Sequence, residues 1–327
     1  MIHIVIPNYN GLEHLRVCLQ SLKNQTYKSF KVILVDNNST DNSVNYVRNN
    51  FPEVDVLELD TNYGFAYPTN LGIKESLKSK DCKYILFLNN DIECAKDFLE
   101  KFLTGFISDK VGSVACKMMN YYERNIFDSA GDYFDLRSYP YKRGFSEIDE
   151  GQYDERGYIF GACGGAAIYR REVFERIGFL DNSFFAYYED IDLNFRMQLS
   201  GYKCFYIPEA ICYHKSGATI KKTHGKKFFL MERNLTSILI KNYQGNLLLK
   251  HGVISIFSRL WNYLRFLKKN EYKYFFYSLV GFIAGLRNVY SNMKKRKEIK
   301  MNISSSMKYI ENICMDFKSG YKELKMF

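Results

Sequence analysis

A chain of 327 residues with 46% hydrophobic content can build a sizeable core, which excludes wholesale disorder. Its net charge of +10 is unevenly placed: residues 215–327 carry 23 Lys and Arg against 6 Asp and Glu, whereas residues 1–214 carry 23 against 30. An acidic body excludes a nucleic-acid backbone wrapped around the whole molecule, and the basic tail points to a different partner.

The first hundred residues alternate short apolar runs with helical patterns. Residues 2–6 form a β-rich run, and Leu12, Leu15, Leu19 and Leu22 then recur at helical spacing. A second strand is predicted over 31–35, ended by Asp36. The polar run 37–41 offers N-cap side chains to a helix carrying Val44, Val47 and Phe51. Further strands are predicted over 54–59 and 84–88, with 70–77 helical between them. This β-α-β-α order predicts an α/β, doubly wound and mostly parallel sheet with helices on both faces. Ligands of such a sheet bind at the carboxyl ends of its strands.

Residues 121–158 are rich in Tyr, Asp, Gly and Arg and weakly periodic, which predicts long ordered loops with short strands. A tight small-residue segment follows at 161–165, then a strand over 166–169, a helix over 171–177, and two strands over 202–207 and 210–213. Beyond Lys215 the chain is helical, aromatic and basic. The predicted organisation is an α/β domain over 1–220, with halves 1–115 and 116–220, followed by a basic helical region over 221–327. The chain opens on MIHIVIPNYN, a strand pattern and not a basic-then-apolar leader, and its eight cysteines form no CxxC pair. Together these predict reduced thiols and a cytoplasmic location.

Polar residues gather where the predicted strands end. Pro7, Asn8, Tyr9 and Asn10 follow the first strand, and Asp36 and Ser39 the second. Asn62, Gly64 and Phe65 follow the third, with Asn70 on the next helix, and Asn89, Asn90 and Asp91 follow the fourth. A parallel sheet delivers all of these clusters to one rim. Each alone is explained by turn chemistry, since Asn, Asp and Gly end strands for conformational reasons; the coincidence is what points to a binding rim.

The set PNYN, VDNNSTD, NYGFA, LNND, FGACGGAAIYRR, FFAYYEDIDL and YHKSGAT resembles the family 2 glycosyltransferases with the GT-A fold, in particular their rhamnosyltransferase-like branch. The resemblance runs in order through roughly the first 235 residues. It implies an inverting transfer of a sugar from a nucleotide-sugar donor, dTDP-rhamnose or another dTDP- or UDP-sugar, to an acceptor hydroxyl of a growing, lipid-linked cell-surface glycan. It implies a divalent cation, Mg2+ or Mn2+, held where the family has a D-x-D motif. Here that place is Asn89-Asn90-Asp91, so Asp91 is the expected ligand and a neutral Asn replaces the usual first acid. Asn offers only a carbonyl oxygen, which predicts weak metal binding until a donor diphosphate adds oxygens.

Within Tyr188-Glu189-Asp190-Ile191-Asp192 the resemblance puts the catalytic base on Asp190, with Glu189 beside it to shift its proton affinity or bind the acceptor. Acids also favour helix N-termini, a reading that suits Asp192 better. His214 resembles the family's downstream histidine and is the second expected metal ligand. Gly164 and Gly165 are expected to let the backbone approach donor sugar or acceptor closely. Cys163 lacks the His and Asn frame of a thiol nucleophile.

In the tail, residues 251–290 are apolar but interrupted by Arg259, Arg265, Lys268, Lys269, Lys273 and Arg287, so no run reaches the ~18 uncharged residues a membrane span needs. Arg265, Lys268, Lys269 and Lys273 fall at helical spacing, with Trp261, Leu264, Leu267 and Phe275 available for another face. That pattern predicts either an interfacial helix on the inner face of an anionic cell membrane or a helix packed on the catalytic domain. Two other function classes stand beside the enzyme. A nucleotide-sugar-binding module without catalysis is suggested by Asn89, and a nucleic-acid binder by the basic tail, although no motif for the latter is present.

Overall fold

The computed structural model describes residues 1–135, 137, 139–215 and 224–314. Its first part is the expected alternation: β1 (Ile2–Asn8), α1 (Leu12–Lys23), β2 (Phe30–Asp36), α2 (Ser43–Asn50), β3 (Asp55–Glu58), α3 (Ala66–Lys78) and β4 (Tyr84–Leu88). β1 pairs in parallel with β2 and β4, and β2 with β3. Strands buried on both faces need apolar residues at every position, which is why FKVILVD in β2 shows no alternation. Successive side chains still go to opposite layers. Ile2, Ile4, Ile6, Leu86 and Leu88 join Leu15, Leu19 and Leu22 of α1 in one core, while Val5, Ile85 and Phe87 join Ile73 of α3 in the other.

The chain continues through β5 (Ile92–Cys94), α4 (Phe98–Leu103), β6 (Val111–Asn120), β7 (Phe127–Ser129), β8 (Asp132–Asp135), β9 (Tyr139–Lys142), β10 (Gly157–Ile159), β11 (Ala166–Arg170), α5 (Arg171–Ile177), α6 (Glu189–Leu199) and β12 (Lys203–His214). The main sheet runs β10-β12-β6-β11-β4-β1-β2-β3, with β5 on β12 and β7 on β6. β11 is antiparallel to both β4 and β6. The sheet is therefore mixed but mostly parallel, with helices on both faces. The two strands expected over 202–207 and 210–213 are one strand, β12, broken in register between Ile207 and Ile211 against β6. The residue before α2 is Asn42, in a left-handed conformation and without a capping side-chain hydrogen bond, while Asp41 Oδ1 accepts from Ser43 N at the start of the helix and its Oδ2 from Leu12 N.

The C-terminal helices are α7 (His224–Asn242), α8 (Asn246–Lys268), α9 (Tyr272–Arg287), α10 (Val289–Met301) and α11 (Met307–Ile313). Packing does not stop at residue 220. Leu235, Ile238, Leu239 and Tyr243 share a core with Phe134, Phe160, Phe184 and Phe195, and Lys241 is buried between Asp181 at 2.5 Å and Asp192 at 2.9 Å. The helix expected to carry Arg265, Lys268, Lys269 and Lys273 together is two helices. The chain turns at Asn270, whose φ is +58°, and Lys273 lies in the first turn of the next one, which begins at Tyr272. Phe275 turns inward against Tyr263, with ring centroids 6.1 Å apart. Among the described residues, no helix is long and apolar enough to cross a membrane.

Candidate active site

The carboxyl ends of β1, β2 and β4 meet in one hydrogen-bonded rim. Asn8 and Asp36 are register partners at the ends of β1 and β2, and Asn8 Nδ2 donates to Asp36 Oδ1 at 2.8 Å. Asn90 Nδ2 donates to Asn8 Oδ1 at 2.7 Å, tying in the end of β4. Ser39 donates from its backbone N to Asp36 Oδ2 and from Oγ to Oδ1, and its Oγ accepts from Asn10 N. Asp36 is 2% exposed and Asn8 1% exposed, so both shape the rim from beneath. Tyr9, Asn10 and Tyr63 are the exposed members, and Pro7 and Ser39 are partly so.

The loop after β3 is fastened to this rim by Asn37, which sequence reasoning passed over as part of a polar run. Its Nδ2 donates to Gly64 O at 2.6 Å and its Oδ1 accepts from Tyr63 N at 3.1 Å. Asn62 Oδ1 accepts from Gly64 N, and Phe65 N donates to Phe185 O at 2.5 Å. Gly64 has φ +82°, and a Cβ there would lie 2.2 Å from Phe185 O, so only glycine fits. Asn70 is 4% exposed and bonded to Leu180 N, Leu180 O and Asn182 Oδ1; it joins α3 to that segment, and its polar atoms face the chain itself.

Two adjacent glycines connect the end of β4 to the acidic pair. Asn89 N donates to Gly165 O at 2.8 Å, and Gly164 N donates to Asp190 Oδ2 at 2.8 Å. Asp190 Oδ1 accepts from Ile191 N at 2.8 Å. The close approach that the small residues allow is to the chain's own α6: a Cβ on Gly161 would lie 2.3 Å from Asn194 Nδ2, and one on Gly164 2.9 Å from Asp190 Oδ2.

Burial pushes the proton affinity of both carboxyls up, and the Asp190 charge raises that of Glu189 further. At Asp190 the backbone N–H groups of Gly164 and Ile191 and the Lys142 charge offset this, whereas Glu189 has only its own backbone N–H to do so. Glu189 Oε2 is buried and, among the described residues, meets no hydrogen-bond partner. Asp190 is therefore the carboxyl of the pair whose charge its surroundings stabilise, and Glu189 the one that burial and its neighbour dispose to keep a proton. Asp132, also missed in sequence, lies in the same cluster: its carboxyl, Cys163 Sγ and the Asp190 carboxyl come within 4.8 Å of one another. Burial and the Asp190 charge raise Asp132 well above the usual carboxylate range, and burial raises the Cys163 thiol likewise.

Asp91 and His214 come together from the end of β4 and the end of β12. Asp91 Oδ1 lies 3.2 Å from His214 Nε2 and, among the described residues, meets no aligned hydrogen-bond donor. His214 Nδ1 lies 2.9 Å from Asp128 Oδ2 on β7, which also accepts from Lys142 Nζ at 2.7 Å. Burial opposes a charge on His214, but its two carboxylate neighbours outweigh it and push the imidazole up to about 9. A carboxylate on the far nitrogen is how metal-binding histidines are oriented. The donor atoms fit a divalent ion: ligands about 2.1 Å from one octahedral centre lie about 3 Å apart, close to the Asp91–His214 spacing.

The loop into α6 is held in a demanding conformation. Phe185, Tyr187 and Tyr188 have φ of +64°, +71° and +68°, left-handed values that bulky side chains rarely adopt. Asn234, from α7, secures it with Nδ2 within 3.1, 2.9 and 2.7 Å of the carbonyls of Phe184, Ala186 and Tyr187. No local signal in the sequence marks Asn234, because its partners lie about 50 residues earlier.

With this geometry in place, comparisons identify the class. The family described as Glycosyl transferase family 2 matches residues 3–178, more than half of the chain, and the chain belongs to that family. Rhamnosyltransferase WbbL of Escherichia coli K12 is 25% identical over 228 residues, covering 65% of this chain and 83% of that protein. The N-acetylglucosaminyl-diphospho-decaprenol L-rhamnosyltransferase of Mycobacterium tuberculosis is 24% identical over 241 residues, covering 66% and 76%. Other matches are partial: the chain spans 32% of the uncharacterized glycosyltransferase YibD of E. coli K12, at 31% identity over 116 residues, and 17% of the O-antigen biosynthesis protein RfbC of Myxococcus xanthus. In fold it is similar to residues 1–349 of TarS from S. aureus, with TM-score 0.58 and 16% identity over 91% and 90% of the two chains. It is also similar to the mannosyltransferase PcManGT of Pyrobaculum calidifontis, solved with GDP-Man and Mn2+, with TM-score 0.55 and 16% identity over 88% and 86%.

Proposed function

We propose that the chain is an inverting glycosyltransferase that moves a sugar from a nucleotide-sugar to an acceptor hydroxyl by single displacement. The observation that carries this reading is the double glycine bridge. It sets a charged, hydrogen-bonded Asp190 beside the strand end that bears Asp91. Asp190 takes the acceptor O–H proton as the acceptor oxygen bonds to the anomeric carbon. The bond from that carbon to the diphosphate oxygen breaks, and the nucleoside diphosphate leaves with the electron pair. Attack opposite the leaving group inverts the anomeric centre.

Glu189, protonated, offers a hydrogen bond without adding a second negative charge. Asp91 and His214 are the residues that would hold Mg2+ or Mn2+, which supplies Lewis-acid stabilisation of the leaving diphosphate. The rim of Tyr9, Asn10, Ser39, Tyr63 and Asn89 is the proposed donor seat, with Asp36, Asn8 and Asn70 supporting it from below.

The rhamnosyltransferases among the relatives support dTDP-rhamnose as the first donor to test, with other dTDP- and UDP-sugars next. Their names likewise support a lipid-linked, cell-surface glycan as acceptor. The basic C-terminal region is proposed to rest on the anionic inner face of the cell membrane, where each basic residue near the surface contributes about 1 kcal/mol. Its binding to anionic vesicles should fall as salt rises and when Arg265, Lys268, Lys269 and Lys273 are changed to Glu.

The test of the donor is a nucleotide-sugar screen read by thermal shift with and without Mn2+. A Mn2+-enhanced shift with one donor, followed by transfer or slow hydrolysis of that donor, is the expected result. Binding with no hydrolysis under any condition would favour the non-catalytic module that Asn89 raises.

A further inference from the structure

Helices α8 and α9 are packed inside out. In a helix resting on a soluble domain the apolar stripe faces the protein. After Leu247, which joins the core at the start of α8, the inward stripe is instead Ser255, Arg259 and Tyr263, all buried. Arg259 Nη1 donates to Thr236 Oγ1 of α7 at 2.7 Å and lies 3.7 Å from Glu232 Oε2. Beside them, Asn262 Nδ2 donates to the Tyr139 hydroxyl at 2.5 Å.

The inward stripe of α9 is Ser278, Gly281 and Gly285. A Cβ on Gly281 would lie 2.4 Å from Phe229 O, and one on Gly285 2.5 Å from Thr236 Cβ. Along these stripes both helices meet α7 through polar and small residues, and only near the turn between them do rings join in, Phe266 and Tyr274 packing on Phe228 of α7 with centroids 5.8 and 4.6 Å away. What they turn outward is Val253, Phe257, Leu260, Trp261 and Leu264 on α8, exposed by 50–70%, and Phe276 on α9, exposed by 60%.

A soluble surface rarely leaves so long an apolar stripe uncovered. The ends of this one are marked by charge. Arg265, Lys268, Lys269 and Lys273 are exposed around the turn between α8 and α9, and Arg287 is exposed at the far end of α9. An apolar ridge with cationic ends complements the acyl region and anionic headgroups of a lipid leaflet.

We infer that the α8–α9 hairpin inserts its outward apolar ridge into one leaflet of an anionic membrane. This rests on the membrane-facing reading of the C-terminal region and changes its physics. Charge brings the hairpin to the surface, and burial of the ridge holds it there. The ridge lies beyond α7, the helix whose Asn234 secures the loop carrying Glu189 and Asp190, so α7 stands between the inserted hairpin and the acidic pair.

Trp261 is the chain's sole tryptophan and 70% exposed on the ridge, so it reports directly. The full chain is mixed with phosphatidylglycerol-containing vesicles, with phosphatidylcholine vesicles as control, while Trp261 emission is followed. Insertion gives a blue shift, quenching by lipids brominated along the acyl chain, and binding that partly survives about 0.5 M salt, where charge attraction is screened.

Phe257→Ser, Leu260→Ser and Leu264→Ser together should weaken vesicle binding roughly a hundredfold or more and abolish the salt-resistant part. Because these side chains are exposed, the melting temperature and donor binding should be unchanged. Unquenched Trp261 on protein that binds vesicles and is fully released by salt overturns insertion but leaves surface attachment standing. No vesicle binding at low salt overturns both. A dimer whose Trp261 emission is already blue-shifted without lipid, and which ignores vesicles, overturns insertion by showing that a second copy covers the ridge. Trp261 quenching in the unaltered chain decides the matter even if the triple variant misfolds.

Discussion

The backbone N–H of Gly164 donates to Oδ2 of Asp190 at 2.8 Å, and a methyl group on Gly164 would sit 2.9 Å from that same oxygen. Glycine here permits the contact that orients the proposed base. Gly164→Ala should displace the carboxylate by a few tenths of an ångström or more and lower the transfer rate by about 10²-fold, while donor affinity holds. Single-turnover transfer and a donor titration separate the two effects; equal loss in both would assign Gly164 to the donor seat.

Asp190→Asn keeps the shape and cannot accept a proton. Transfer should fall by roughly 10²–10⁴-fold with donor binding intact. Transfer at the unaltered rate would move the base elsewhere, with Glu189 the next candidate.

Glu189 makes a prediction for stability against pH. Burial and the Asp190 charge raise its proton affinity in the folded chain, so the folded state prefers the protonated carboxyl. That preference favours folding fully below the unfolded value of about 4.3 and is lost progressively as pH rises towards the raised folded value. Glu189→Gln, which cannot ionise, should therefore melt close to the unaltered chain near pH 4 and increasingly above it towards pH 8. Melting curves across that range test it, and a constant difference would show that Glu189 is charged in the folded protein.

Metal binding is expected to depend on the donor. Asp91 and His214 supply two protein ligands and Asn89 only a neutral oxygen, so calorimetry should register little Mn2+ binding to the chain alone and clear binding with a nucleoside diphosphate present. Asp128→Asn, which alters the partner of His214 Nδ1 and not the proposed ligands, should weaken that binding by about 10–100-fold. Full activity in excess chelator would remove the metal from the reading.

Asn234→Ala removes the amide that holds the carbonyls of Phe184, Ala186 and Tyr187. Leaving buried carbonyls without a partner beside three left-handed residues should cost about 2–4 kcal/mol, read as a lower midpoint in urea. The transfer rate should fall further than the lost stability explains, because the same loop positions Glu189 and Asp190.

The alternation of apolar runs and helical spacings carried the order β1-α1-β2-α2-β3-α3-β4, because that periodicity records burial residue by residue and needs no knowledge of distant partners. The polar ends of those strands were legible for the same reason, while Asp91, Glu189, Asp190 and His214 were singled out by their resemblance to family motifs, each lying within a short run of chain. Which polar residues remain at the surface of the rim was decided only by tertiary contacts. Asp36 is closed over by Asn8 and Ser39, and Asn70 is taken up by a segment 110 residues later. Asp128, Asp132 and Lys142 reached the site on the short strands β7, β8 and β9, in a stretch with no periodicity to read, and Asn234 through a helix on the other side of the acidic motif. The tail shows the limit most directly. An amphipathic spacing states that a helix has two faces, but which face turns inward depends on what lies beneath it. Under α8 and α9 lies α7, offering Thr236, Glu232 and a close backbone to polar and small residues, and Phe228 to two rings near the turn, so the longer apolar face was left outside.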